Sequence, residues 1–259
     1  MNEKIYTYGD DERLFYCKAI LARRLNGTGR VHILPIPTTR DGKTVNGTEL
    51  PLAEFAEGVV SGDTVLAYGA PDELSRIIEA RGGRVVDAAS DEGYLEKGAE
   101  LTAIGMLARI LNRQRRAPDG LRFGIIGYGR IGRRLTELLT FLGAEVTVFT
   151  SRPELWEDLG RLGVKAVGTY ELPLIREGVG GFSNPFEELD ILINTAPAGI
   201  LTEEDAPSLA GVWVIELASG DNIPDAVAHE IMPSIPAKEF PESAAAAYAQ
   251  VLLRSIIEF

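Results

Sequence analysis

The stretch "RFGIIGYGRIGRRLTELLTFLGAEVTVFTSR", Arg122 to Arg152, constrains this chain more than any other. An apolar run leads into Gly127-x-Gly129-x-x-Gly132, then into helical periodicity, then into a second apolar run. In that setting the first glycine permits a tight strand-to-helix turn. The second lets another group approach the backbone, and the third lets helix and strand pack closely. The spacing predicts strands at 121–126, 145–150 and near Lys165 to Val167, with helices at 131–142 and 153–162. The helix that follows the glycines opens on free N–H groups and a positive dipole end, which suits a phosphate. Gly127, Tyr128, Gly129, Arg130, Ile131 and Gly132 are therefore the candidate pyrophosphate loop of a dinucleotide.

The end of the second strand bears on which dinucleotide. A free ribose 2′-hydroxyl is usually met by an Asp or Glu about 20 residues beyond the glycines. Here Thr150, Ser151 and Arg152 stand in that region, and hydroxyls with a guanidinium suit a 2′-phosphate better. NADP is favoured over NAD, although Ser151-Arg152-Pro153 also reads as an ordinary helix start. Two further apolar runs, "LDILINTAP" and "VWVIELAS", end in small and polar residues. Open α/β sheets bind ligands at such carboxyl ends, so Asn194, Thr195, Ala196 and Pro197 are candidates for the nicotinamide ribose, with Ser219 nearer the ring.

The first ninety or so residues repeat the alternation of strand and helix patterns: "KIYTYG", a helix from Glu12 to Leu25, "VHILPIP", "DTVLAYGAP", a short helix after Asp72, and "RVVDAA". Such alternation predicts parallel sheets. The whole reads as an α/β chain of two Rossmann-like domains with a cleft between them. The expected divisions are an N-terminal, substrate-side domain at 1–92, a linking helix at 93–118 and a nucleotide-binding domain at 119–240. A C-terminal helix at 241–259 returns to the first domain. Ala117-Pro118-Asp119-Gly120 closes the linking helix, Tyr170 to Asn184 reads as a Gly-rich surface loop, and His229 falls in a helical stretch.

A net charge of −12 argues against nucleic acid or an anionic membrane as partner. Cys17 is the only cysteine, which excludes an intrachain disulfide or a multi-cysteine metal site and suits a reducing cytoplasm. No window approaches the ~20 apolar residues of a spanning helix, and no metal site is expected.

Several segments, in order, resemble the A subunit of dipicolinate synthase, a two-domain enzyme of spore-forming bacteria. "YGDDERLFYCKAIL" is similar to that family's opening, "ILPIPTTRDG" to its substrate-side Leu-Pro segment, and "GYGRIGRRL", "LGAEVTVFTSR", "LDILINTAPAGIL" and "VWVIELAS" to its cofactor half. "MPSIPAKEFPESAAAAYAQVL" stands at its Pro-Gly-x-Pro-Gly segment and last helix. The resemblance implies an NADP-dependent oxidation of dihydrodipicolinate, or of its hydroxylated tetrahydro precursor, to dipicolinate. It also implies partnership with a flavoprotein-like B subunit, in the mother cell of a sporulating bacterium; a homo-oligomer stays open.

A dicarboxylate in an acidic protein needs local cations and donors. Arg13, Arg40 and Ser219 are the candidates, with Asp10 to orient Arg13 or act as a base; Lys43 reads better as a solvated charge. The departures from the family fall on the substrate side. Pro233-Ser234-Ile235-Pro236-Ala237 lacks the family's glycines, Ala218-Ser219-Gly220-Asp221-Asn222 trades a cation for an acid, and "ELTAIGML" replaces a Thr-x-Glu-Gly pattern. The alternatives are a D-2-hydroxyacid-type dehydrogenase, which needs a catalytic histidine, and a catalytically silent relative that binds NADP or a partner. His32 reads as structural at least as readily as catalytic, and His229 as solvated.

Overall fold

A computed structural model describes residues 4–25, 29–179 and 183–257. Contacts divide the chain between Leu101 and Thr102 and again between Ile235 and Pro236, giving two compact units.

The first unit holds β1 (Ile5–Thr7), α1 (Glu12–Arg24), β2 (Val31–Ile33), α2 (Leu52–Glu57), β3 (Thr64–Ala67), α3 (Asp72–Ala80) and β4 (Arg84–Asp87). It also holds the start of α4 (Glu92–Arg113) and the C-terminal helix α9 (Pro241–Ile257). The strands form a parallel four-stranded sheet in the order β1-β2-β3-β4. Period-2 alternation gives the sheet two apolar faces. Ile5, Val31, Ile33, Leu66 and Val86 pack with Leu14, Cys17 and Leu21 of α1 and with Ala245, Tyr248 and Leu252 of α9. Val65 and Ala67 point the other way, onto Leu52 and Phe55 of α2 and Leu74 and Ile78 of α3. All three connections step in one direction across the sheet, yet α1 covers the face opposite to α2 and α3. The first crossover therefore has the opposite hand to the other two, and one of these is the hand that parallel crossovers rarely take.

The second unit contains β5 (Arg122–Ile126), α5 (Arg130–Phe141), β6 (Glu145–Thr150), α6 (Trp156–Arg161), β7 (Lys165–Gly168), α7 (Leu172–Arg176), β8 (Ile191–Asn194), β9 (Trp213–Glu216) and β10 (His229–Ile231). Its parallel sheet runs β10-β9-β8-β5-β6-β7. A short α8 (Ile235–Glu239) follows. The chain builds outward from β5 through β6 to β7, then crosses to the other side of β5 for β8 and beyond. The sheet's switch point thus lies between β5 and β8, the place where open α/β sheets take ligands. Every residue of β8 is buried, as a central strand requires.

The structure confirms the α/β class with two parallel sheets, and α9 packs against α1 as the returning helix. Three local expectations change. His229 opens the edge strand β10 rather than lying in a helix, its neighbours Glu230 and Ile231 pairing with β9. The helix expected at 153–162 is a 3-10 turn at Pro153–Leu155 followed by α6, because Pro153 has no N–H to give to a helical ladder. The stretch read as a loop from Tyr170 to Asn184 includes α7, held by the buried ion pair of Arg176 with Asp205; its residues 180–182 lie outside those described. Ser234, where the resemblance expects glycine, takes φ 59°, so the left-handed backbone persists without the glycine.

Candidate functional site

The glycine loop occupies the carboxyl end of β5. Gly127 has φ +91°, and a Cβ on it would meet Ala196 Cβ and Thr195 Oγ1 at 3.0 Å, so the turn itself demands glycine. Gly132 is buried, and a Cβ there would collide with the carbonyl oxygen of Gly127, so close helix–strand packing demands the second. Gly129 is different. Its φ is −81°, open to any residue, and beyond its two chain neighbours no heavy atom among the described residues lies within 4 Å of an added Cβ. Neither turn nor packing requires a glycine here, and its backbone is open to an approaching group.

Gly129 also stands at the N-cap of α5. No side chain caps this end of the helix, where the dipole adds positive potential. An uncapped helix, an unneeded glycine and a tight turn together fit a pyrophosphate. Tyr128 and Ile131 are half-buried beside this loop, and Arg130 is exposed at the first helical position.

The loops after β6 and β8 flank it. Thr150 is buried and its hydroxyl accepts from the Arg152 N–H at 3.2 Å, while Ser151 and Arg152 are exposed. The Arg152 guanidinium donates to the Tyr128 carbonyl, so this cation lies against the glycine loop. On the other side, the Thr195 hydroxyl donates to the Ile126 carbonyl at 2.9 Å and ties β8 to β5. Asn194 is 2% exposed; its amide donates to Ala196 O and to both oxygens of Glu216, and its Oδ1 accepts from the Ala196 N–H. Asn194 thus fixes the Thr195-Ala196-Pro197 loop, of which Pro197 is exposed.

Glu216 escapes a reading of the sequence. It closes β9 at 1% exposure and accepts from Asn194 and from the Ala218 N–H at 2.9 Å. Its signal is a single acid ending the apolar run "VWVIE", and burying a carboxylate is costly unless its hydrogen bonds are met. Ser219 and Asp221 beyond it are both exposed.

In the first unit the structure redistributes the expected substrate-side groups. Arg13 is 9% exposed and is bound by Asp11, not Asp10: Nε donates to both Asp11 oxygens and Nη2 to the Ile36 carbonyl at 3.0 Å. Asp11 is also the N-cap of α1, accepting from the Arg13 N–H. The pairing of Asp10 with Arg13 is corrected, since the capping position, one residue later, is where a carboxylate meets both the helix N–H groups and the guanidinium. Asp10 is exposed. Arg40 and Lys43 lie exposed on a turn that Asp41 staples by accepting from the N–H groups of Lys43 and Thr44, both at 2.9 Å. These N–H groups hold the Asp41 carboxyl well below its usual range.

Among the described residues no cluster of His, Cys, Asp or Glu could hold a metal ion, and no helix is long and apolar enough to cross a membrane.

Fold and site define the class first: a two-unit, parallel-sheet protein of dehydrogenase-like architecture with a glycine loop at its switch point. Particular structures share it. The A subunit of dipicolinate synthase from Bacillus halodurans superposes with a TM-score of 0.75 at 18% identity, over 97% of both chains. The A chain of the Bacillus subtilis dipicolinate synthase gives 0.75 at 18%, over 100% of this chain and 97% of that one. Salmonella D-lactate dehydrogenase gives 0.58 at 14%, over 97% and 95%. No family model matches the sequence, and no curated protein matches it.

Proposed function

We propose that this chain is an NADP-preferring oxidoreductase whose six-stranded unit holds the dinucleotide. The carrying observation is Gly129, a glycine that the protein's own geometry does not need, at the uncapped start of α5. The backbone from Gly127 to Gly132 would hold the pyrophosphate, and Ser151 with Arg152 the 2′-phosphate. Thr195, Ala196 and Pro197, fixed by Asn194 and Glu216, would flank the nicotinamide ribose. When bound, the nicotinamide supplies a hydride acceptor, and the chain supplies binding and orientation.

For the substrate, the leading reading is an oxidation resembling that of dipicolinate synthase, in which this chain plays the part of the A subunit beside a B subunit. It draws support from a likeness that runs over nearly the whole chain with the higher TM-scores. The lactate dehydrogenase likeness supports a 2-hydroxyacid substrate as the second reading. That reading asks for an accessible histidine: His32 is 5% exposed, and His229 sits half-buried with Nδ1 at 2.8 Å from the Val227 carbonyl. In the first reading, carboxylate binding falls to Arg40 and the backbone, because Arg13 is already engaged.

Titration of the full chain with NADPH and NADH, followed by nicotinamide fluorescence with and without dipicolinate, tests both levels. Tighter NADPH binding, strengthened by dipicolinate, supports the reading. Equal binding of both nucleotides removes the NADP preference, and no binding of either removes the oxidoreductase.

A further inference from the structure

One polar chain in the first unit has no part in the nucleotide site. Tyr8, just beyond the carboxyl end of β1, places its hydroxyl 2.7 Å from Nδ1 of His32 in β2. Nε2 of His32 lies 3.3 Å from Oδ2 of Asp63. Asp63 in turn accepts from Arg30 Nε at 3.0 and 3.1 Å, from Arg30 Nη2 at 2.6 Å and from the Val60 N–H at 2.9 Å.

Burial lowers the His32 pKa and favours a neutral imidazole, and with a neutral ring these contacts assign each proton. Burial raises the Asp63 pKa, yet the Arg30, Val60 and His32 hydrogen bonds outweigh it and hold the carboxyl down to about 2, so Asp63 is an anion and only accepts. His32 must then carry its proton on Nε2, which leaves Nδ1 as an acceptor and makes the Tyr8 hydroxyl the donor. The order of roles, a hydroxyl against a base against an orienting carboxylate, is that of a triad built to move a proton.

Packing alone does not account for the arrangement. His32 is 5% exposed and Asp63 3%, and apolar side chains at these places would avoid the desolvation of an ionised group. Tyr6 and Tyr8 stack against the imidazole at 5.3 and 5.9 Å between ring centroids, and Phe55 of α2 meets it edge-on at 5.8 Å. The ring is thereby held in one orientation. Of these three groups only Tyr8 is half-buried rather than buried, and it stands at the edge where open parallel sheets receive ligands.

We infer that Tyr8 is a proton-transfer residue: its oxygen takes a proton from the O–H or N–H of a bound small molecule while its own proton passes to Nδ1 of His32. The phenol is regenerated, His32 becomes an imidazolium, and Asp63 remains its counter-ion, so one proton has moved and no electron pair leaves the protein. That the molecule is one undergoing oxidation rests on the function proposed above; the acid–base chain does not.

The test needs neither cofactor nor substrate. The full-length protein is treated with N-acetylimidazole, and O-acetylation of each tyrosine is followed by peptide mass spectrometry. Base assistance from His32 should make Tyr8 react about tenfold faster than Tyr170, although Tyr170 is 53% exposed, since such assistance is commonly worth ~10²-fold or more before partial burial subtracts from it. His32→Gln should remove that excess and leave Tyr170 unchanged. The wild-type pH series gives a second readout should His32→Gln fail to fold. Tyr6 and Tyr8 of the first strand region, Arg30, Asp63 and the uncharged Phe55 face His32, and burial lowers its pKa. The Tyr8 rate should therefore climb below about pH 6.5, as His32 loses its proton, rather than only toward the phenol range near ~10. Acetylation of Tyr8 no faster than Tyr170, or a rate that ignores His32→Gln and rises only in the phenol range, would overturn the inference. Nucleotide titration reads separately, so failure of one result is not failure of the other.

Discussion

The two units begin with the same device and finish it differently. β1 and β5 each run into a glycine of positive φ, +88° at Gly9 and +91° at Gly127, and each turn leads into a helix. After β1 the helix is closed on itself: Asp11 caps α1, and its carboxylate also binds Arg13. After β5 no side chain caps α5. The difference teaches that the ligand-ready turn is marked by what is missing. An internal anion serves one helix start, and the other has no side-chain cap, which is what the proposed pyrophosphate site requires.

That contrast can be broken or sharpened in four ways, taken from the largest effect down. Gly132→Ala forces a Cβ into the Gly127 carbonyl, and the resulting shift should cost about 4 kcal/mol or more, read as a lost or strongly lowered melting transition. Asp11→Ala removes the cap and leaves the Arg13 guanidinium buried without its anion; a loss of about 3 kcal/mol in urea unfolding is expected. A near-neutral result would show that the first turn is not held by its own carboxylate.

Gly129→Asp copies the closed turn into the open one. The new carboxylate meets open space, so the melting temperature should hold, while NADPH affinity falls about a hundredfold, or about 2.7 kcal/mol. Undiminished binding would mean that the α5 start does not receive the phosphate. Arg152→Ala has the smallest expected effect, about a tenfold loss of NADPH affinity with NADH unchanged, worth ~1.4 kcal/mol. Equal loss for both nucleotides would assign Arg152 to the loop it touches at Tyr128 rather than to the 2′-phosphate.

Legibility in the sequence follows the range of the forces involved. The β5–α5–β6 unit can be read almost to the residue, 121–126, 131–142 and 145–150 against Arg122–Ile126, Arg130–Phe141 and Glu145–Thr150, because its periodicity and glycines are local. At His229 the helical expectation fails because three residues of edge strand carry too little pattern to oppose it. Asp11 and Asp10 are adjacent acids, and only the capping geometry distinguishes them. Glu216 can be seen as an oddity, but its partner Asn194 lies on a neighbouring strand.

The sequence by itself determined the alternation of strands and helices, the glycine turn and the residue types at the strand ends, since these depend on backbone sterics and on apolar spacing over a few residues. Tertiary structure decided which anion caps which helix, which face α1 covers, and that Tyr8, His32 and Asp63 meet. Those groups are far apart in the chain, and it is parallel pairing of β2 with β1 and β3 that brings them within hydrogen-bonding distance.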